Sequence, residues 1–151
     1  MVTRPGETTQ AEGSKEGRLR EALEESGQRF TAQRAAVYEA LHGTDAHPTA
    51  DEIFLTVRRE LSDISLATVY KALEAFVSCG MARKLTYGEG PARYDSRTDA
   101  HDHVRCTACG TVRDVEDPSA GRWLETIQSR TEFDVTDYRL ELLGLCPECR
   151  R

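Results

Sequence analysis

In the first half of the chain, apolar residues recur every three or four positions, and this spacing, together with capping residues, predicts four helices between residues 17 and 80. The apolar faces contain Leu19, Ala22 and Leu23 in the first helix, Ile53, Val57 and Leu61 in the third, and Leu66, Val69, Leu73 and Phe76 in the fourth. The capping residues are Gly27 after the first helix, Thr31 before the second, Thr49 with Glu52 at the third, and Ser65 and Gly80 around the fourth.

The next segment, MARKLTYGEGPARYD at residues 81–95, has the pattern of two short strands around a glycine-rich turn. Short helices followed by a hairpin are typical of a winged helix-turn-helix, in which the helix before the hairpin enters the major groove of DNA. The outer face of the fourth helix carries Ala67, Thr68, Tyr70 and Lys71, which suit contacts with thymine methyls, base edges and phosphates. An ordinary solvated helix face has the same pattern.

The second half of the chain changes character. Alternating residues in HDHVRC, TVRDV and YRLELLGLC predict strands, and SAGRWLETIQSRT predicts one helix between them. The predicted fold class is therefore α+β, with an N-terminal winged helix-turn-helix domain followed by a smaller α/β domain. The predicted bounds are a flexible tail at residues 1–16, the winged-helix domain at 17–91, a hinge at 92–98 and the second domain at 99–151.

The net charge is −6, and acidic residues outnumber basic ones both in residues 1–90 and in residues 91–151. This balance alone argues against nucleic-acid binding, so the prediction of DNA binding depends on the fourth helix and on a local basic face. Arg29 and Arg34 are candidates for that face. The predicted DNA contacts are Arg29, Arg34, Ser65, Ala67, Thr68, Tyr70 and Lys71.

The N-terminal fifteen residues contain no apolar segment of the kind found in a secretory signal, and no stretch approaches the roughly 18 apolar residues of a membrane span. We therefore expect a soluble cytoplasmic protein without a membrane partner. In a reducing cytosol, paired cysteines are more often metal ligands or redox centres than structural disulfides.

Four of the five cysteines form two Cys-x-x-Cys pairs, Cys106 with Cys109 and Cys146 with Cys149. Four thiolates in a closed tetrahedral set are typical of structural zinc, so the spacing predicts one Zn²⁺ per chain. A thioredoxin-like redox pair is the alternative. The fifth cysteine, Cys79, ends an apolar helix and is expected to be a core residue.

Two histidines, His101 and His103, precede the first cysteine pair. Residues two apart on a strand face the same side, so both imidazoles are directed to one point, and Asp102 between them is expected to be a surface charge. A surface His-x-His also occurs without any ligand. Asp95, Asp114 and His47 are candidate partners, and three nitrogens with two carboxylates suit Fe²⁺ or Mn²⁺ better than a closed zinc site.

With these features in order, the chain resembles the ferric uptake regulator superfamily of bacterial metal-dependent repressors over about residues 17–150. The matching segments are RFTAQR, HPTADEIF, LATVYKALEAF, LTYGEGPARYD, HDHVRCTACG and GLCPEC. Within the superfamily the chain is most similar to the peroxide-sensing branch. The resemblance implies a regulatory Fe²⁺ or Mn²⁺ site at His47, Asp95, His101, His103 and Asp114, with aspartate at the last position where iron-uptake regulators usually have glutamate.

The resemblance further implies a homodimeric repressor that binds a palindromic operator in double-stranded DNA. The second domain then provides the dimer interface, the zinc site holds that domain together, and the regulatory metal selects the arrangement that binds DNA. Peroxide acting at bound Fe²⁺ would oxidise His47 or His101 and release the DNA, whereas Mn²⁺ would support repression without sensing.

Two alternatives stay open at this point. An iron, manganese or zinc uptake regulator of the same superfamily would have the same architecture. A non-haem iron enzyme also uses histidine and carboxylate ligands, but it needs open coordination positions and a substrate pocket, which the sequence does not indicate. We therefore predict that the chain is not an enzyme.

Overall fold

The computed structural model describes residues 14–116, 119–136 and 138–151. The helices are α1 (Lys15–Glu25), α2 (Ala32–His42), α3 (Ala50–Val57), α4 (Leu66–Ser78) and α5 (Ala120–Gln128). The strands are β1 (Arg83–Leu85), β2 (Arg93–Asp95), β3 (Asp102–Cys106), β4 (Val112–Val115) and β5 (Glu141–Gly144). The predicted α+β fold is thus confirmed. The predicted tail at residues 1–16 lies mostly outside the described residues.

Contacts divide the chain into two compact units, which meet in sequence between Thr98 and Asp99. The first unit contains α1 to α4 and the hairpin of β1 and β2, and the second contains the remaining strands and α5. No helix among the described residues combines the length and the apolar character that crossing a membrane requires.

The helix ends agree with the predicted capping residues because each cap satisfies backbone groups that the helix leaves unpaired. The side chains of Thr31, Thr49 and Ser65 accept hydrogen bonds from backbone N–H groups three residues later, and Thr49 forms a complete capping box with Glu52. Gly27 and Gly80 follow the ends of α1 and α4 with φ values of 73° and 75°, a left-handed conformation that favours glycine.

One predicted helix is shorter than its apolar pattern. Leu61 was expected on the third helix, but α3 ends at Val57 and the chain continues in tight turns, in which Glu60 N donates to Val57 O over 3.0 Å. Leu61 nevertheless packs against the core from its position after the helix. The fourfold spacing therefore identified a buried residue but placed it in the wrong element.

The first unit has a continuous apolar core from the inner faces of its helices. Its largest fully buried side chains are Leu19, Leu23, Val37, Leu41, Ile53, Val69, Leu73, Phe76 and Tyr94. The ring of Tyr38 meets that of Phe76 edge-on, with centroids 5.5 Å apart, so α2 packs directly against α4. Burial of each such side chain contributes about 1.5–3 kcal/mol, which fixes α4 with its opposite face towards solvent.

The hairpin of β1 and β2 is antiparallel, with Lys84 directly opposite Tyr94. Its second strand also joins the segment before α3, since Tyr94 N donates to Pro48 O over 2.9 Å and Arg93 forms a bridge with Thr49. The hairpin is therefore connected by backbone hydrogen bonds to the start of α3.

The second unit is built on a sheet with strand order β4-β3-β5. Strand β3 is central, antiparallel to β4 and parallel to β5, and α5 lies in the connection between β4 and β5. In register, His103 lies opposite Asp114, and Cys106 lies opposite Gly144. The sheet therefore places the histidine segment next to Asp114 and the first cysteine pair next to the end of β5.

Candidate metal centres and DNA-binding helix

The four paired cysteines converge in the second unit. Cys106 ends β3, and the parallel β5 ends two residues before Cys146, so the two pairs are brought side by side. Their sulfur atoms lie within 4.8 Å of one another, and the Sγ atoms of Cys109 and Cys146 are 3.8 Å apart. Zn–S bonds of about 2.3 Å in a tetrahedron separate sulfurs by about 3.8 Å, so the donor set fits zinc in both identity and spacing.

Backbone N–H groups favour thiolates in this cluster. Hydrogen bonding by the N–H of Cys109, followed by that of Cys146, lowers the pKa of Cys106 to about 6. The pKa of Cys149 is raised to about 12, because sulfur atoms of Cys146, Cys109 and Cys106 surround it and disfavour a further negative charge. Four mutually close sulfurs of this kind are stable as thiolates only around a cation.

A turn containing Gly110 shapes the first cysteine pair. Gly110 has a φ of 76°, and its N–H donates to Cys106 O over 2.9 Å, so the chain turns back immediately after Cys109. The hydroxyl of Thr111 lies 3.2 Å from Cys109 Sγ, and its hydrogen bonding lowers the pKa of that thiol. Thr111 is a supporting residue that sequence reasoning missed.

A second group in this unit consists of His101, His103 and Asp114. One carboxylate oxygen of Asp114 lies 3.2 Å from His101 Nε2 and 3.4 Å from His103 Nε2. His101 Nδ1 donates to Asp99 O over 2.9 Å, which leaves its Nε2 with a lone pair on the side of Asp114. The arrangement presents two imidazole nitrogens and a carboxylate as potential metal ligands.

The first unit holds a smaller group of the same chemistry. His47 Nδ1 and Asp95 Oδ1 are 3.8 Å apart, and both side chains are buried, with exposures of 4% and 2%. Asp95 Oδ1 accepts a hydrogen bond of 2.8 Å from Arg97 N, while His47 lies in the segment before α3. A buried imidazole beside a buried carboxylate is a potential pair of ligands for a divalent cation.

Near these groups, sequence analysis did not identify the role of Arg93 and did not predict the burial of Asp102. Arg93, which was not singled out, donates from Nη1 to His47 O over 2.8 Å and lies 3.6 Å from a carboxylate oxygen of Glu52. The alternation of β2 contains this signal, because Arg93 and Asp95 are two residues apart and face the same side. Asp102 was expected to be a surface charge, but it is only 8% exposed.

Helix α4 presents the predicted DNA contacts on its outer face. Ala67, Tyr70 and Lys71 are exposed, and Thr68 is half-buried. The hydroxyl of Ser65 accepts from Thr68 N and lies 2.8 Å from the Thr68 hydroxyl, so Ser65 serves as the helix cap. The assignment of these residues to DNA contacts stays a prediction.

The two predicted arginine contacts lie at the start of α2. Arg34 donates to Arg29 O over 2.7 Å and to Gln28 Oε1 over 3.3 Å, so its guanidinium is held against the preceding loop. Arg29 is exposed in that loop. Their role in DNA binding also stays a prediction.

The second unit exposes many large apolar side chains. They are Trp123, Ile127, Phe133, Leu140, Leu142, Leu143 and Leu145, with exposures from 36% to 79%. Among its described residues, only Cys106 and Val112 are buried apolar side chains. Exposed apolar surface of this extent, contributed by α5, β5 and the segments next to them, is typical of a protein–protein interface.

Comparison with known proteins gives consistent results. The model of the ferric uptake regulator family matches residues 25–143. The peroxide-responsive repressor PerR of Staphylococcus aureus strain USA300 is 38% identical over 129 residues, which cover 85% of this chain and 87% of the relative.

Solved structures show the same fold. The ferric uptake regulator Fur of Helicobacter pylori, described as having three functional metal-binding sites, has a TM-score of 0.79 at 22% identity, covering 89% of this chain and 90% of that chain. A zinc-bound manganese uptake regulator has a TM-score of 0.70 at 29% identity, covering 85% of this chain and 98% of that chain.

Proposed function

This chain belongs to the ferric uptake regulator family, and on that basis we propose that it is a metal-dependent transcriptional repressor that acts as a homodimer and responds to peroxide. The observation that carries the proposal is the presence of two chemically different donor sets. Within the second unit, one set contains four cysteines, and the other contains His101, His103 and Asp114. A zinc site whose four positions are all filled by thiolates stabilises the fold, and a separate site that binds an exchangeable ion allows the protein to sense metal.

The cysteine set is assigned to one structural Zn²⁺ per chain. Its spacing leaves no position for a water or substrate ligand, so the ion has a folding role rather than a catalytic one. The thioredoxin-like alternative is disfavoured because the two pairs lie together as one group of four sulfurs.

The regulatory ion is assigned to His47, Asp95, His101, His103 and Asp114. Three nitrogens and two carboxylates form a mixed donor set that favours Fe²⁺ or Mn²⁺. His47 and Asp95 belong to the first unit and the other three to the second, so an ion that binds all five favours the conformation in which the units are held together. A ligand shifts such an equilibrium only by its difference in affinity for the two states, and a ligand set divided between the units provides this difference.

Operator binding is assigned to the winged helix-turn-helix of the first unit, with α4 in the major groove. Half-sites of a palindrome lie about 34–36 Å apart, so a metal-selected conformation is needed to place two copies of α4 at matching positions. The second unit is assigned to dimerisation because its exposed apolar residues on α5 and β5 need a partner surface.

Peroxide sensing is assigned to His47 and His101. His47 and His101 would be among the ligands of this ion, and Fe²⁺ bound there would supply the electrons that reduce peroxide, so these two imidazoles would be next to the oxidant formed. An imidazole that gains oxygen loses the lone pair needed for ligation, so the conformation that binds DNA is no longer favoured. Similarity to the peroxide-responsive repressor and the aspartate at position 114 support this assignment.

Mass spectrometry of the Fe²⁺-loaded protein after one equivalent of peroxide tests the proposal. We expect peptides that contain His47 or His101 to gain the mass of one oxygen atom, with loss of DNA binding in proportion. The Mn²⁺-loaded protein is the control and should retain both its mass and its DNA. Metal-dependent DNA binding that survives peroxide with Fe²⁺ bound would instead support a metal uptake regulator, the function of the Helicobacter protein and of the manganese regulator.

A further inference from the structure

Glu74 on the outer side of α4 accepts hydrogen bonds from both strands of the hairpin. Lys84 Nζ on β1 lies 2.7 Å from Glu74 Oε1, and the hydroxyl of Tyr94 on β2 donates to the same oxygen over 3.1 Å. Lys84 and Tyr94 are direct partners in the β1–β2 register, so their side chains lie on the same face of the hairpin. One carboxylate oxygen thus connects both strands of the hairpin to α4, the helix proposed to bind DNA.

The opposite face of β2 carries the metal-ligand pair of the first unit. Strand residues alternate in direction, so Arg93 and Asp95 face away from Tyr94. Arg93 holds the carbonyl of His47 at 2.8 Å, and Asp95 lies 3.8 Å from the His47 imidazole. A three-residue strand therefore contacts the proposed metal ligands on one face and α4 on the other.

Tyr94 has little freedom to move independently of β2. Tyr94 is fully buried, and its N–H donates to Pro48 O, next to His47. A shift of Asp95 and His47 towards a shared ion therefore displaces β2 as a unit, and the Tyr94 hydroxyl moves with it. The displacement reaches Glu74, which lies on α4 one turn beyond Tyr70 and Lys71.

We propose that Glu74 and Tyr94 are positioning residues that couple the His47–Asp95 half of the regulatory metal site to the orientation of α4 and the hairpin on DNA. The inference rests on the proposed function, since it assumes that this half-site binds the regulatory ion. Through this coupling, binding of the regulatory ion changes the position of the DNA-binding elements within the first unit alone. This effect is separate from any effect on the arrangement of the two units.

The electrostatics of Glu74 agree with this role. A carboxylate close to DNA phosphates is repelled unless a cation accompanies it. The hydrogen bond from Lys84 lowers the pKa of Glu74, so the ion pair persists near neutral pH and the carboxylate stays an acceptor for Tyr94. An uncharged amide at this position would weaken both bonds while keeping the size of the side chain.

The test compares the full-length wild-type protein with Tyr94→Phe and Glu74→Gln. The probe is a DNA duplex that the wild-type protein selects from a randomised palindromic library in the presence of Mn²⁺. For each protein, the Kd for this duplex is measured with and without Mn²⁺, and the Kd for Mn²⁺ is measured without DNA. Tyr38→Phe is the matched control, because Tyr38 is buried in the same core and lies on α2.

We expect both variants to lower the ratio of the metal-free to the Mn²⁺-bound Kd for DNA by roughly five- to tenfold, the effect of losing one hydrogen bond of typical net strength. The Mn²⁺ affinity of the free protein and the ratio for Tyr38→Phe should stay within about threefold of wild type. An unchanged ratio in Glu74→Gln, which replaces a partly exposed residue and should fold, overturns the inference alone. An equal loss in Tyr38→Phe also overturns it, whereas a wild-type protein without any Mn²⁺ response overturns the proposed function as well.

Discussion

Replacing Cys106 by serine is expected to remove zinc and to unfold the second unit. Cys106 and Val112 are the only buried apolar side chains among the described residues of this unit, so its apolar core is too small to hold the sheet together. Structural zinc contributes an apparent 10–16 kcal/mol or so at neutral pH in small zinc domains, far more than such a core supplies. Zinc content and hydrogen exchange of β3 and β5 measure the loss, which should be complete.

Cys79→Ser is the matched control for this prediction. The Cys79 thiol donates to Phe76 O at the end of α4 and lies outside the cysteine cluster, and burial raises its pKa, so it is not a reactive thiolate. This variant should retain one zinc per chain and a protected second unit. Retention of zinc and of slow exchange in Cys106→Ser would contradict the structural role of the cluster.

The second large effect is expected for His103→Ala, which should abolish the response of DNA binding to metal. His103 Nε2 and His101 Nε2 both lie next to one carboxylate oxygen of Asp114, so the substitution removes one of the proposed ligands at this point. Loss of a partner behind a ligand already weakens metal affinity by about 10- to 100-fold, and loss of a ligand should exceed this. The Kd for DNA with and without Mn²⁺ measures the effect, and the two values should become equal.

His42→Ala provides the control for this variant. His42 ends α2, its Nδ1 donates to Tyr38 O over 3.0 Å, and it lies outside both metal-ligand groups. Its replacement should leave the metal response intact, and zinc content should be normal in both histidine variants. A normal metal response in His103→Ala would refute its assignment as a ligand.

The local features of the fold could be predicted from the sequence because they depend on neighbouring residues. Thr49 and Glu52 act within one turn of helix, and Gly80 adopts the left-handed conformation that its position requires. The end of α3 was missed because the apolar spacing continues to Leu61 through tight turns that bury the same face.

The cysteine and histidine groups were recognisable because their spacing is itself chemical information. The residues that support these groups, Arg93 and Thr111, could not be predicted, because their contacts form only in the folded chain. The connection from Glu74 to Tyr94 spans 20 residues and depends on the register of the hairpin. Asp102 shows the same limit, because an acidic residue in an alternating strand gives no sign that its face is buried.

The proposed function requires that His47 and Asp95 bind the same ion as His101, His103 and Asp114. Calorimetric titration of the zinc-loaded protein with Mn²⁺ tests it most directly, with wild type and His47→Ala measured side by side. We expect one Mn²⁺ per chain in the wild type and a loss of Mn²⁺ affinity in His47→Ala as large as that in His103→Ala. An unchanged Mn²⁺ affinity in His47→Ala, or a second Mn²⁺ per chain, would contradict it.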